Sequence, residues 1–221
     1  MYPHSRLQRQ RQSESIRDLV KENALTASDF IYPIFVSEVC TEPQEVTALP
    51  GVYQHTLESL KSEIKECVDI GIKSILLFGI PVHKDDQGSE SYHSEGIVQR
   101  AIRQIKSQAP QLTVIADCCL CEYTDHGHCA VLTDNGKINN DETLNLLSKI
   151  AVSYADAGVD IVAPSGMMDG MVGAIRKGLD NAQFQMVGIM SYAVKYASAF
   201  YGPFREAAGS TFKGDRNQYQ L

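Results

Sequence analysis

Short apolar runs of strand length alternate along the chain with longer stretches in which apolar positions recur every three or four residues. The runs are Ile31 to Val36, Ser74 to Ile80, Leu112 to Ala116, Ile161 to Ala163 and Met186 to Val194. Between them, Leu57, Leu60, Ile64, Cys67 and Val68 keep helical spacing, and Gly71 sits where that helix should stop. Ile97 to Ile105 repeats the pattern ahead of Pro110, and Leu144, Leu147, Ile150, Ala151 and Tyr154 repeat it ahead of Gly158. A further helix is predicted from about Asp169 to Leu179.

Near-continuous apolar strands separated by helices predict a parallel sheet buried on both faces. An open doubly wound sheet and a (β/α)8 TIM barrel both satisfy this. No G-x-G-x-x-G follows the first strand, which weakens the dinucleotide-binding version. Reactive side chains stand instead at the C-terminal ends of three strands, where barrel enzymes assemble their sites. The expected fold is therefore α/β, a (β/α)8 barrel preceded by a polar N-terminal arm over residues 1–30. Five strand–helix units do not close such a barrel, and barrel domains run to about 250 residues. The chain is thus expected to be truncated after the fifth βα unit, with residues 31–221 forming a partial barrel that includes a polar lid at 201–221.

Composition changes the picture mainly by exclusion. A net charge of −7 argues against nucleic acid as a partner, because phosphate binding needs a surplus of Lys and Arg on one face. Arg6, Arg9, Arg11 and Arg17 are interrupted by Glu14 and Asp18, and read as a solvated arm rather than a targeting segment. No apolar run approaches the roughly twenty residues a membrane helix needs. A soluble cytoplasmic protein, with neither membrane nor nucleic acid as partner, is expected.

Of six cysteines, Cys118, Cys119, Cys121 and Cys129 fall within one short segment. Such clustering suits metal or redox chemistry better than a disulfide framework. Strand alternation would put Asp117, Cys119 and Cys121 on one face and Cys118 on the other, and Gly127 would let Cys129 return toward the first pair. Three thiolates suit zinc and leave one position open, as catalytic sites do. A closed structural site that adds His126 or His128, or a set of ordinary buried thiols, also fits the spacing.

Lys195 follows the almost wholly apolar fifth run. A lysine there either snorkels to solvent or stands partly desolvated, with its pKa depressed so that the neutral amine can attack a ketone. Asp117 and Ser165 stand at the ends of the third and fourth strands. Each alone could be a turn or capping residue. Farther on, Arg205 and Arg216 lie in the polar segment after Tyr201, where guanidinium groups either clamp a carboxylate or face solvent.

These segments together resemble the porphobilinogen synthase (5-aminolevulinate dehydratase) family. Asp117 to Cys129 matches D-x-C-x-C-E-Y-T-x-H-G-H-C, Ala163 to Gly170 matches A-P-S-x-M-M-D-G, and Met190 to Arg205 matches M-S-Y-x-x-K-Y-A-S-x-F-Y-G-P-F-R. Gly214 to Gln220 matches G-D-R-x-x-Y-Q, and the S-I-R-D-L-V-K-E-N and I-Y-P-I-F-V stretches are similar to the family's start. The resemblance implies a hydro-lyase that condenses two molecules of 5-aminolevulinate to porphobilinogen in heme biosynthesis. It implies zinc on Cys119, Cys121 and Cys129, a Schiff base at Lys195, and Asp117 and Ser165 lining the pocket to assist proton transfer or orientation. Arg205, Arg216 and Gln220 would hold a substrate carboxylate. It further implies a homo-octamer whose N-terminal arms embrace neighbours. The family's second catalytic lysine lies beyond the segment ending in Gln220, and the magnesium (Mg2+) site of some members also falls outside this segment. The alternative is a truncated, non-catalytic zinc-binding subunit of the same family. An aldolase-type Schiff-base lyase has no need of the cysteine cluster.

Overall fold

The computed structural model describes residues 1–198, 201–210, 212 and 216–221. Its strands are β1 (Ile31–Ser37), β2 (Gln44–Glu45), β3 (Tyr53–His55), β4 (Ser74–Ile80), β5 (Thr113–Cys118), β6 (Ile161–Pro164) and β7 (Gly188–Ile189). Its helices are α1 (Glu14–Val20), α2 (Leu57–Asp69), α3 (Ile97–Gln108), α4 (Asn140–Asp156), α5 (Met171–Asn181) and α6 (Gly202–Ala207). Among the described residues the strands form one sheet in the order β2-β3-β1-β4-β5-β6-β7.

The short β2 and β3 lie on the far side of β1, and from β4 onward each strand joins the other, growing edge in parallel through a helical crossover. Because such crossovers are right-handed, adding strands in one direction keeps the helices on one face. A doubly wound sheet reverses its order among the helix-linked strands, and from β1 through β4, β5, β6 and β7 this one does not. The pleat divides the strand residues accordingly. Ile34, Val36, Ile75, Leu77, Val114, Ala116, Cys118 and Val162 pack with Leu60, Ile64, Ile102, Ile105, Leu147 and Ile150 of the helices. Phe35, Phe78 and Ile80 point to the other face, where they meet Phe204 and Ala207 of α6.

The helices begin and end where local chemistry dictates. Thr56 and Ser59 form a capping box at the start of α2, and Gly71, at φ 86°, turns the chain after it. Asn139 caps α4 by accepting from the Glu142 amide, and Gly158, at φ 99°, terminates it. Helix α1 has its Ser13 cap but buries no residue, so the arm lies outside the core.

Two expectations change. Met186 to Val194 is predicted as one strand, yet only Gly188–Ile189 is regular. The Gly188, Met190 and Tyr192 amides do bond successive β6-side carbonyls of Asp160, Val162 and Pro164. Among the described residues that is the segment's single strand partner, since β7 is the sheet edge. The third strand runs to Cys118, one residue past Asp117. No helix among the described residues is long and apolar enough to cross a membrane.

Glycine positions test this packing in opposite directions. A Cβ on Gly79 would stand 2.5 Å from Val98 Cγ2 and 2.6 Å from the Tyr123 hydroxyl, whereas one on Gly173 meets nothing within 4 Å. Gly79→Ala should therefore destabilise the fold by about 1–3 kcal/mol through overpacking. Gly173→Ala, inside α5, should stabilise it by about 0.5–1 kcal/mol. Urea unfolding midpoints of the two variants should move to opposite sides of the parent value.

Candidate functional site

The site is built beyond the C-terminal end of β5. Pleat alternation sends Asp117 to the face opposite the helices and Cys118 toward α4, where its sulfur lies 3.6 Å from the Leu147 carbonyl. The strand then stops. A turn closed by the Tyr123 and Thr124 amides, each 2.9 Å from the Leu120 carbonyl, swings Cys121 back beside Cys119. Their sulfurs are 3.4 Å apart. Strand alternation predicts the same neighbours, but the turn brings them together, because β5 has already ended at Cys118.

Gly127, at φ 71°, reverses the following loop. The loop returns Cys129, so that one sulfur from each of Cys119, Cys121 and Cys129 lies within 4.8 Å of the others, all buried. Neither His126 nor His128 belongs to this group of ligand atoms. His126 Nδ1 accepts from the His128 amide, and His128 Nδ1 lies 3.2 Å from the Tyr219 hydroxyl. The donor set fits zinc: three soft, closely spaced sulfurs in a dry pocket.

The strand-end residues converge on the same place. Ser165 Oγ donates to Asp117 Oδ2 at 3.2 Å, and Lys195 Nζ donates to the Ser165 carbonyl at 3.1 Å. Glu122, only 2% exposed, brings a second carboxylate within 4.8 Å of the Asp117 oxygen and the Cys119 sulfur. One oxygen of each acid, Asp117 Oδ1 and Glu122 Oε1, has no partner among the described residues.

The segment after Tyr201 folds over these groups. Arg216 Nη2 donates to the Gly127 carbonyl at 2.9 Å, while its Nε and Nη1 have no partner among the described residues. Arg205 Nε and Gln220 Nε2 are likewise buried without acceptors. Both guanidiniums lie over the rings of Tyr201 and Phe212, at 4.6 to 5.8 Å from the centroids. Unsatisfied, clustered N–H donors of this kind suit a carboxylate. Ala199, Phe200, Thr211, Lys213, Gly214 and Asp215, which the predicted lysine segment and lid include, lie outside the described residues.

Charge is crowded here. Burial pushes the Asp117 carboxyl well above its ordinary range, and Glu122 and Cys119 push it further, against Lys195 and the Ser165 hydroxyl. Burial and Cys119 push Glu122 up to about 7. Cys129 accepts from Cys119 and Cys121 and is held well below the usual thiol value, so it carries the anionic charge of the trio. Lys195 needs a correction. Its strand-end position predicts a depressed amine pKa, and burial does act in that direction, but Cys129, Cys119 and Cys121 outweigh it and raise the value. Beside the Cys129 thiolate the ammonium form of the amine is favoured.

Glu122, Tyr219, Tyr201 and Phe212 line the site without any spacing that announces them. Glu122 merely follows Cys121, and Tyr219 acquires its place only when residues far apart in sequence meet.

A parallel, singly wound sheet with its polar groups gathered beyond the C-terminal strand ends defines an α/β protein of the TIM-barrel type. The chain belongs to the delta-aminolevulinic acid dehydratase family, whose sequence profile matches residues 4–221. It is 58% identical over 217 residues to the delta-aminolevulinic acid dehydratase of Halalkalibacterium halodurans, covering 98% of this chain and 66% of that protein. The Bacillus subtilis protein of the same description is 54% identical, with 98% and 67% covered. The crystal structure of the Toxoplasma gondii dehydratase (porphobilinogen synthase), in complex with the reaction product porphobilinogen, matches with a TM-score of 0.95 at 39% identity. That match covers 98% of this chain and 63% of the other. The chain thus spans about two thirds of the length of these relatives.

Gly127 offers the sharpest test of the loop geometry. A Cβ there would lie 2.7 Å from the Phe212 amide nitrogen, at a backbone angle that L residues rarely adopt. Gly127→Ala should destabilise the chain by about 1–3 kcal/mol. Amide hydrogen exchange should quicken at both the cysteine loop and the segment around Arg216, while β1 and β4 stay protected.

Proposed function

We propose that this chain carries the zinc and Schiff-base site of a porphobilinogen synthase, a hydro-lyase that condenses two molecules of 5-aminolevulinate to porphobilinogen with loss of two waters in heme biosynthesis. The observation that carries this reading is convergence. An amine, a hydrogen-bonded acid and hydroxyl, three cysteine sulfurs and guanidinium N–H groups without partners among the described residues gather in one cluster. The T. gondii relative, solved with its product, supports a small-molecule occupant.

Arg205, Arg216 and Gln220 take the substrate carboxylate, which fixes the ketone against Lys195. The neutral amine attacks the ketone carbon, the resulting carbinolamine loses its hydroxyl as water, and a C=N bond remains. Asp117, kept protonated by burial and oriented by Ser165, gives the proton that lets the hydroxyl leave, and takes one from nitrogen. Zinc held by Cys119, Cys121 and Cys129 would supply Lewis acidity toward the second substrate and cancel the thiolate charge that otherwise keeps Lys195 protonated.

The arm supports the homo-octamer reading. Leu7, Leu19, Val20, Leu25 and Phe30 are exposed within a single chain, which suits an arm that lies on a neighbour. A cytoplasmic enzyme accords with the thiols, all of which are free.

Two measurements check the site. Single Cys→Ala variants at Cys119, Cys121 and Cys129 should each lose bound zinc by elemental analysis, whereas Cys118→Ala should keep it; loss at Cys118 with retention at Cys119 would contradict the ligand set. Borohydride added with 5-aminolevulinate should leave a stable adduct on the peptide containing Lys195. Lys195→Ala and Lys195→Arg should both abolish that adduct, since a guanidinium stays protonated.

A further inference from the structure

We propose that Tyr219 is a latch coupling occupancy of the three-cysteine site to the position of the carboxylate clamp. The inference rests on the zinc and Schiff-base reading above, and extends it to a residue that takes no part in that chemistry.

The chain from Arg216 to Gln220 is a single turn. The Tyr219 and Gln220 amides both bond the Arg216 carbonyl, at 3.1 and 2.9 Å, so clamp residues and tyrosine shift together. This turn is fastened at both ends. On one side, Tyr219 Oη accepts from the Cys129 amide at 3.3 Å and lies 3.2 Å from His128 Nδ1, while its ring packs on the three cysteines. Arg216 adds a second tie to the same loop through the Gly127 carbonyl. On the other side, Leu221 exchanges backbone hydrogen bonds with the lysine segment. Its amide donates to the Lys195 carbonyl at 3.1 Å, and its carbonyl accepts from the Ala197 amide at 2.7 Å.

One short turn is therefore wired to the metal loop, to the Schiff-base lysine and to the clamp. Gathering three sulfurs on one ion fixes the backbone at Cys129, which is the atom set the phenol reads. A tyrosine hydroxyl bonded there transmits that constraint to Arg216 and Gln220. Linkage makes the effect reciprocal: a keto acid that orders the clamp must tighten the metal by the same factor. The ring alone, packed on sulfur, would serve as a cover without this directional tie. Tyr219→Phe separates the two roles, because it keeps the ring and removes the hydroxyl.

The probes are zinc itself and levulinate, which carries the ketone and carboxylate of the proposed substrate without its amine. Zinc affinity is measured by competition with a chromophoric chelator, with and without saturating levulinate. Levulinate saturation is read independently from the borohydride-trapped adduct at Lys195, with and without zinc. The parent chain should bind each ligand about tenfold more tightly in the presence of the other. Tyr219→Phe should still bind zinc and still trap the adduct, with a coupling factor at least about threefold smaller than the parent's, the remainder being the charge effect of zinc on Lys195 that the variant keeps.

Unchanged coupling in Tyr219→Phe overturns the latch, as does a parent chain without coupling. Loss of either ligand altogether in the variant also overturns it, since the phenol would then be a prop for one site rather than a link between two. A parent chain that takes up no zinc or forms no adduct overturns the underlying reading, and the latch falls with it.

Discussion

Cys129, buried with Cys119 and Cys121, is held low by hydrogen bonds from both and takes the anionic charge of the trio. A buried charge must find partners or vanish, and the surrounding residues divide along that line. Lys195 and Arg216 answer as cations, each drawn by Cys129. Asp117 and Glu122, buried beside the same sulfurs, are pushed toward their protonated forms. The site is thus poised so that its acids hold protons and its amine holds charge until something neutralises the thiolates. A thiophilic divalent cation does that directly, which links the proposed metal to the freeing of the lysine.

The scaffold supplies this crowding through simple geometry. Parallel register sets Asp117 opposite Ala163 and Cys118 opposite Pro164, so the inward side chains of β5 and the residue just beyond β6 share one face. Strand alternation alone would put Cys119 and Cys121 on one face but spaced along the strand. The turn after Cys118 and the left-handed Gly127 fold them back into a cluster instead. Phe212 then packs so closely on Gly127 that no side chain fits there.

Much of this was legible in the residues. Apolar runs located β1 and β4 closely, and helical spacing with Gly71 and Gly158 located α2 and α4. Asp117, Ser165 and Lys195 were readable as strand-end residues because barrel strands end at the site. Glu122 and Tyr219 were not: Glu122 meets Asp117 and Cys119 only because the turn after Cys118 folds it back, and Tyr219 meets Cys129 across a long sequence separation. The amine pKa of Lys195 also escaped. Burial can be inferred from an apolar strand, but the field of a thiolate shared among three cysteines depends on distances that only the folded chain sets. The fifth strand proved shorter than its hydrophobicity suggests, because hydrophobic residues signal burial rather than pairing, and among the described residues this segment pairs with β6 alone.

The central claim, a three-thiolate site open to substrate, is tested most directly by X-ray absorption at the zinc edge of the metal-loaded chain, before and after 5-aminolevulinate. The account predicts three sulfur neighbours at about 2.3 Å and one lighter atom, with the sulfur shell unchanged and the lighter neighbour altered by substrate. Four sulfurs, or a shell dominated by imidazole nitrogen, would contradict it.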